Sequence, residues 1–328
     1  LLRMGMLTRP RHDRKHGCSM VVFHDCRYLG AASCCPFDRA RFMKFPRWVW
    51  LAINFWAFWG CTPSEEPAPT VIEVPEASPV PSAVPSPSPP AACPPEMVEV
   101  KKEYCPTVMH QCIEGGKNHD GKPSSDPMPY YCEAYRPGYA KCMKKEVPKH
   151  FCIDIYEYPN EKGVLPEVFV SWYEAKALCE KIGKRLCDDD EWTLACEGPE
   201  RLPYPYGWRR DRGRCNIDKP WRKPNDGILA RKTRDGKVEA EIERLSQRHV
   251  SGAMPGCVSA YGVMDMGGNV DEWTVNVTLG GKPYRSMFKG GHWCGGARNR
   301  CRPTTESHDE TTRYYAEGFR CCASPRAN

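Results

Sequence analysis

The chain has 328 residues, 41% hydrophobic and 27% charged, which is enough for one large domain or two modest ones and argues against a wholly disordered chain or a multi-span membrane protein. Its 20 cysteines are more than an ordinary enzyme of a reducing compartment carries, so an oxidising location or a metal site has to account for them. The net charge of +6 sits at one end: residues 1–60 hold 10 Lys+Arg against 3 Asp+Glu, and the remainder is near neutral, so nothing argues for nucleic acid.

The chain opens on Leu1, and residues 1–42 scatter basic residues and Cys18, Cys26, Cys34 and Cys35 without a period; they read as an unstructured leader or a misassigned start. From Met43 a pattern emerges. Lys44 and Arg47 precede an apolar run, Trp48 to Trp59, broken only by Asn54. The run is too short for a membrane-spanning helix, which takes about 20 residues, and fits a signal-peptide core of about 7 to 15. It ends at Gly60-Cys61, which resembles a bacterial lipoprotein box, although Phe58 and Trp59 depart from the usual Leu-Ala/Ser. The expectation is a signal peptide over 43–60 and a lipid on Cys61 that anchors the chain to a membrane. Thr62 rather than Asp points to an outer-membrane lipoprotein with a periplasmic or cell-surface domain. A cleaved secretory leader or a short membrane-buried anchor is the alternative. Residues 61–95 are dominated by Pro, Ser, Ala and Glu and form a semi-rigid spacer. A Pro-rich ligand segment is disfavoured because no basic residue flanks the prolines.

From 96 to 323 the composition is that of a folded domain, with a Cys-rich insertion at about 104–149. Ser171-Trp172-Tyr173-Glu174 is a capping box, followed by Ala175, Leu178, Cys179 and Ile182 at helical spacing and stopped by Gly183. A second helix is capped at Asp188 with Glu191 three residues on, and ends at Gly198. Short strands are predicted at Phe151–Tyr156, Val168–Val170 and Arg285–Lys289, among turns such as Tyr204–Gly207 and Met266–Asn269. This is an α+β domain with little regular structure.

Several segments in order resemble one family: MVEV (97–100), FCIDIYEYPN (151–160), VSWYEAKALCEKIGKRLCDDDEW (170–192), YPYG, CNI (215–217), YGVMDMGGNVDEWT (261–274), KGGHW (289–293) and GFRCC (318–322). Together they resemble the formylglycine-generating enzyme, or sulfatase-modifying factor, family. The resemblance implies a variant of the C-type lectin fold with two main helices and small antiparallel sheets.

Asp265 to Glu272 places two carboxylates and several turn carbonyls within one short stretch, the hard-oxygen set that Ca²⁺ prefers. The alternative is a turn whose carboxylates cap backbone N–H groups. The resemblance implies calcium held by Asp265, Gly268, Val270 and Glu272. It implies a second site at Asn216 and Ile217, with Asp226 and Ile228 as completing ligands.

The family oxidises a peptide cysteine to formylglycine with O₂, using copper(I) held by two thiolates. In Gly290-Gly291-His292-Trp293-Cys294, Cys294 falls near the first thiolate and His292 replaces the family serine. A partner five residues on would be Asn299, and Cys301 is seven away. Cys294, Cys301 and His292 are therefore the candidates for any remaining chemistry. Sixteen cysteines lie at or after Cys61. If Cys61 is lipidated an odd number remains, and Cys294 is the candidate odd one. The alternatives are an odd cysteine in the insertion, a cross-link between two chains, or a zinc site, although the spacings lack tight C-x2-C pairs. Two function classes follow: a calcium-stabilised, disulfide-braced module that binds a protein or peptide partner, and a copper-dependent oxidase acting on a partner's cysteine.

Overall fold

The structure, a computed structural model, describes residues 91–231 and 233–326. The expectations for the leader, the signal peptide, lipidated Cys61 and most of the Pro-rich spacer lie outside the described residues.

Both predicted helices form where their caps place them. In α1 (Trp172–Lys181) Ser171 accepts the Glu174 N–H, and Glu174 returns the bond to the Ser171 N–H at 2.8 Å. In α2 (Asp189–Glu197) Glu191 reaches back to the Asp188 N–H at 3.1 Å, and the helix is buried along its whole length. Two helices were not anticipated: a single turn, α3 (Asp226–Leu229), and α4 (Gly236–Leu245), capped by Asp235. Val238, Ile242 and Leu245 form the apolar stripe of α4 and pack on Phe169, Val270, Trp293 and Tyr315.

One sheet has the order β1-β4-β10-β5, made by β1 (Met97–Tyr104), β4 (Val147–Asp154), β10 (Cys321–Ala323) and β5 (Arg185–Leu186). A second has the order β8-β7-β6-β9, made by β8 (Thr304–Thr305), β7 (Ser286–Lys289), β6 (Asp271–Val275) and β9 (Glu317–Phe319), with β6 and β9 parallel. Between the sheets, α2 contributes Trp192, Leu194 and Ala195 to a core shared with Val100, Phe151 and Ile153. On the other side, Trp172 and Ala175 of α1 pack on Trp273, Phe288 and Phe319. The run Val168–Val170, predicted as a strand, is buried but not extended. Phe169 has φ +62° and donates its N–H to the Glu317 carbonyl, so the apolar run marks a buried loop.

The insertion is a continuation of the first sheet. β1 and β4 run into it as paired strands up to Tyr104 opposite Val147, and β2 (Val108–Glu114) then pairs with β3 (Ala134–Cys142) in an irregular ribbon. Cys105–Cys142 and Cys112–Cys132 brace it. It is seated on the rest of the domain by the Tyr204 hydroxyl, which donates to the Cys132 carbonyl at 2.6 Å. His110 Nε2 donates to the Arg201 carbonyl at 2.7 Å, and burial lowers that imidazole to about 4.

Five further bridges join Cys93–Cys152, Cys179–Cys321, Cys187–Cys322, Cys196–Cys301 and Cys215–Cys257. Cys93, assigned to the spacer by composition, therefore belongs to the folded part. The one remaining cysteine of the described residues, Cys294, is buried and takes part in none of these bridges. No helix of the described residues is long and apolar enough to cross a membrane.

Candidate functional site

The loop from Asp265 to Glu272 is fixed by close backbone approach. Gly268 has φ +89°, and a Cβ there would stand 2.3 Å from the Asn216 carbonyl oxygen, so only glycine fits. Asn269 donates its N–H to that carbonyl at 3.0 Å. Asn216 Nδ2 donates to Asn269 Oδ1 at 2.9 Å and to the Gln247 carbonyl at 2.8 Å. The fold thus brings the two expected calcium segments against each other. Asn216 Oδ1 is buried and has no hydrogen-bond partner among the described residues.

Beside the expected Asp265 and Glu272, the fold brings in a third carboxylate, Glu157. Glu157 is fully buried, accepts from Asn269 Nδ2 at 2.6 Å and from the Val270 N–H at 3.2 Å, and faces Asp265 and Glu272. Burial first, then those two carboxylates, raise it well above the usual carboxylate range. Asp265 accepts the Gly252 N–H at 2.7 Å, and burial pushes it up to about 6. Glu272 is committed elsewhere. Arg320 grips both its oxygens at 2.6 and 2.7 Å, and the Trp192 indole donates to one of them at 2.8 Å. Glu272 is therefore the counter-ion of a buried arginine, and as a calcium ligand it would have to share oxygens already bonded. Asp226, expected to complete the second site, is exposed in the first turn of α3, and the Ile228 carbonyl already accepts the Arg231 N–H at 3.2 Å. Among the described residues, no three His, Cys, Asp or Glu side chains are grouped so as to hold a metal ion. Asp265 and the buried Asn216 Oδ1 are oxygen donors of the kind a hard cation takes, and they lie in segments that meet through the Asn216–Asn269 hydrogen bonds.

The second candidate segment lies next to the first, through Gly268 N–H on the Gly290 carbonyl and Trp293 N–H on the Asn269 carbonyl, both at 3.1 Å. Gly291 has φ +66°, and a Cβ there would meet Asn299 Nδ2 at 2.9 Å. That amide staples the loop by donating to the carbonyls of Gly290 at 3.3 Å and His292 at 2.9 Å, while its Oδ1 accepts from Arg210. His292 is buried, and its Nδ1 accepts the Cys294 N–H at 3.2 Å. Burial, with Arg298 adding to it, lowers that imidazole to about 3, so it is neutral. Cys294 is packed with Trp293, Tyr315 and Val270. Cys301, a candidate thiolate by sequence, is bonded to Cys196 of α2, which corrects that expectation: its sulfur is not available to a metal. Two thiolates on one copper ion are not assembled here, so the residues do not fit copper(I).

A family model, the sulfatase-modifying factor enzyme 1-like domain, matches residues 138–325. The chain belongs to the sulfatase-modifying factor family. Among relatives, the mouse protein named inactive C-alpha-formylglycine-generating enzyme 2 is 31% identical over 171 residues, 50% of this chain and 51% of that protein. Its cattle counterpart is 30% identical over 170 residues, 50% of this chain and 52% of that protein. The chain spans about half the length of these curated relatives. PvdO from Pseudomonas aeruginosa, a solved structure, superposes with a TM-score of 0.40 at 16% identity, covering 70% of this chain and 94% of that one.

The fold is the formylglycine-generating variant of the C-type lectin architecture, with α3 and α4 added to the two helices expected. In the sulfatase-modifying factor frame, the sequence reading missed Glu157 and the Arg320 pairing. Both sit in segments that carry the resemblance, FCIDIYEYPN and GFRCC, just outside the short strands β4, β9 and β10, and a lone charged residue there carries no sign of its partner.

Proposed function

We propose that the chain is a non-catalytic member of the family, a disulfide-braced and calcium-stabilised module that presents a binding surface to a protein or peptide partner. The observation that carries this reading is the fate of the copper pair: Cys301 is tied to Cys196, and the position that would supply the second thiolate is Asn299, whose amide holds the loop together. The mammalian relatives are named inactive, which supports it. Incubation with Cu(I), O₂ and a cysteine-containing sulfatase peptide should give no loss of mass on the peptide. Turnover that disappears in Cys294→Ser would move the protein to the oxidase class.

Calcium is part of the proposal because a buried amide oxygen without a donor and buried carboxylates in excess of their one arginine suit a hard cation. Asp265 and Asn216 would hold the ion, with the carbonyls of Gly268 and Val270. Binding to the folded state alone stabilises by about 2.7 kcal/mol at a hundred times Kd. Chelation should lower Tm, and Asp265→Ala should abolish that sensitivity; identical melting with and without chelator removes calcium from the reading. The membrane tether through Cys61 and the outer-membrane location are proposed on the 43–61 pattern. An intact mass that includes a diacylglyceryl Cys61 at the N-terminus is the expected result, and a soluble product retaining residues 44–60 contradicts it.

A further inference from the structure

Two alternating arginine runs, Arg210-Asp211-Arg212 and Arg298-Asn299-Arg300, meet where the insertion packs on the rest of the domain. Arg210 is only 6% exposed. Its Nε and Nη2 donate to Asp218 at 3.3 and 2.6 Å, and Nη2 also reaches Asn299 Oδ1 at 3.3 Å. Its Nη1 is buried without a hydrogen-bond acceptor among the described residues. Asp218 is not Arg210's alone: Arg212 Nε stands 2.8 Å from the same carboxylate, on a side chain that is largely exposed.

Arg300 adds a third guanidinium. It donates to the Tyr135 hydroxyl, to the Tyr130 carbonyl at 2.8 Å and to the Ala297 carbonyl at 3.0 Å, all uncharged, and makes no ion pair among the described residues. Lys117 and Arg210 both lie over the Tyr131 ring, at 5.3 and 5.4 Å, and the Tyr131 hydroxyl occupies Glu133. Arg210 and Arg212 therefore share one carboxylate, Asp218, while Arg300 and Lys117 make no ion pair among the described residues, and Glu133 accepts from the Tyr131 hydroxyl. A buried N–H donor without an acceptor is costly, by about 1–3 kcal/mol. Arginine forks match the oxygens of carboxylate, sulfate and phosphate groups and bind them by charge-assisted hydrogen bonds.

We infer that this seam is an oxyanion subsite, in which Arg210, Arg212 and Arg300 receive a carboxylate or a tetrahedral oxyanion of a ligand. The inference goes beyond the proposed function and does not depend on calcium or on the fate of the copper pair. It also gives the insertion a role, since Lys117, Tyr130, Tyr131 and Tyr135 form one wall of the subsite.

Thermal unfolding of the oxidised full chain tests it, in low-millimolar sodium sulfate, phosphate or acetate against sodium chloride at matched ionic strength. These conditions hold general screening constant. Tm should rise with the oxyanion beyond its value in chloride. A rise confined to acetate assigns the subsite to carboxylates, and one confined to sulfate and phosphate assigns it to tetrahedral oxyanions. In Arg212→Gln and Arg300→Gln the concentration giving half the rise should increase roughly ten-fold, the loss of one charge-assisted hydrogen bond. Both side chains reach solvent, so the variants should fold. Equal melting in all four salts, or a rise that both variants keep undiminished, overturns the inference.

Discussion

Reducing the disulfides should unfold the domain, not merely soften it. Three of the seven bridges span 142, 135 and 105 residues and tie the C-terminal strands and loop to α1, to the entry of α2 and to α2 itself. In the chain-entropy account a bridge closing about 100 residues is worth roughly 4.7 kcal/mol and one closing about 15 roughly 3 kcal/mol. Whole domains have a net stability of only about 5–15 kcal/mol. Loss of the three long bridges alone would exhaust it. Near-ultraviolet circular dichroism with and without reductant should show the loss of the aromatic signal from the buried Trp192, Trp273 and Trp293. Peptide mapping without reduction should return the seven pairs. The double variant Cys112→Ser/Cys132→Ser should behave differently, because that bridge spans 20 residues and lies within the insertion, so the main cores should keep their signal. A reduced chain that melts like the oxidised one would mean that the apolar cores suffice.

The difference between long and short bridges also marks what the sequence could convey. The helices α1 and α2 were legible because their caps are local: a serine or aspartate and a glutamate three residues later bond to each other whatever surrounds them. The helix α4 was not, since its apolar stripe is only Val238, Ile242 and Leu245 within a ten-residue charged segment whose burial depends on Phe169 and Trp293. Val168–Val170 misled for the opposite reason, because a short apolar run says that it is buried without saying whether it is extended. At the candidate site, the loop from Asp265 to Glu272 was legible as a tight turn rich in oxygen. Its electrostatics were not, since Glu157 and Arg320 come from segments more than a hundred residues apart in sequence. Cysteine pairing has the same character: spacing raised Cys301 as a thiolate, and only the packing of α2 against the 290–302 loop joins it to Cys196.

Replacing Arg320 with methionine should cost about 3–5 kcal/mol, the usual consequence of leaving a buried charge without its partner. Arg320 is fully buried and Glu272 nearly so, and the guanidinium ties four parts of the chain together. Nε and Nη2 hold Glu272 of β6, Nη2 also donates to the Met264 carbonyl at 2.9 Å, and Nη1 reaches the carbonyls of Asp154 and Ile155 at 3.3 Å. In Arg320→Met, Glu272 would face Glu157 and Asp265 with no guanidinium among them. Adding Glu272→Gln should restore much of the loss, because the amide keeps an oxygen for the Trp192 indole while removing the unpaired charge. A double variant as unstable as Arg320→Met would show that the carbonyl contacts, and not the ion pair, are what Arg320 contributes. The same series reads out calcium. If a divalent cation sits beside Asp265, it becomes the principal positive charge in the cluster once Arg320 is gone, and the chelator-induced fall in Tm should be larger in Arg320→Met than in the parent chain. The added carbonyl losses are common to both melts with and without chelator, so they cancel in that difference. A chelator effect unchanged by removing the guanidinium would place any calcium away from these carboxylates.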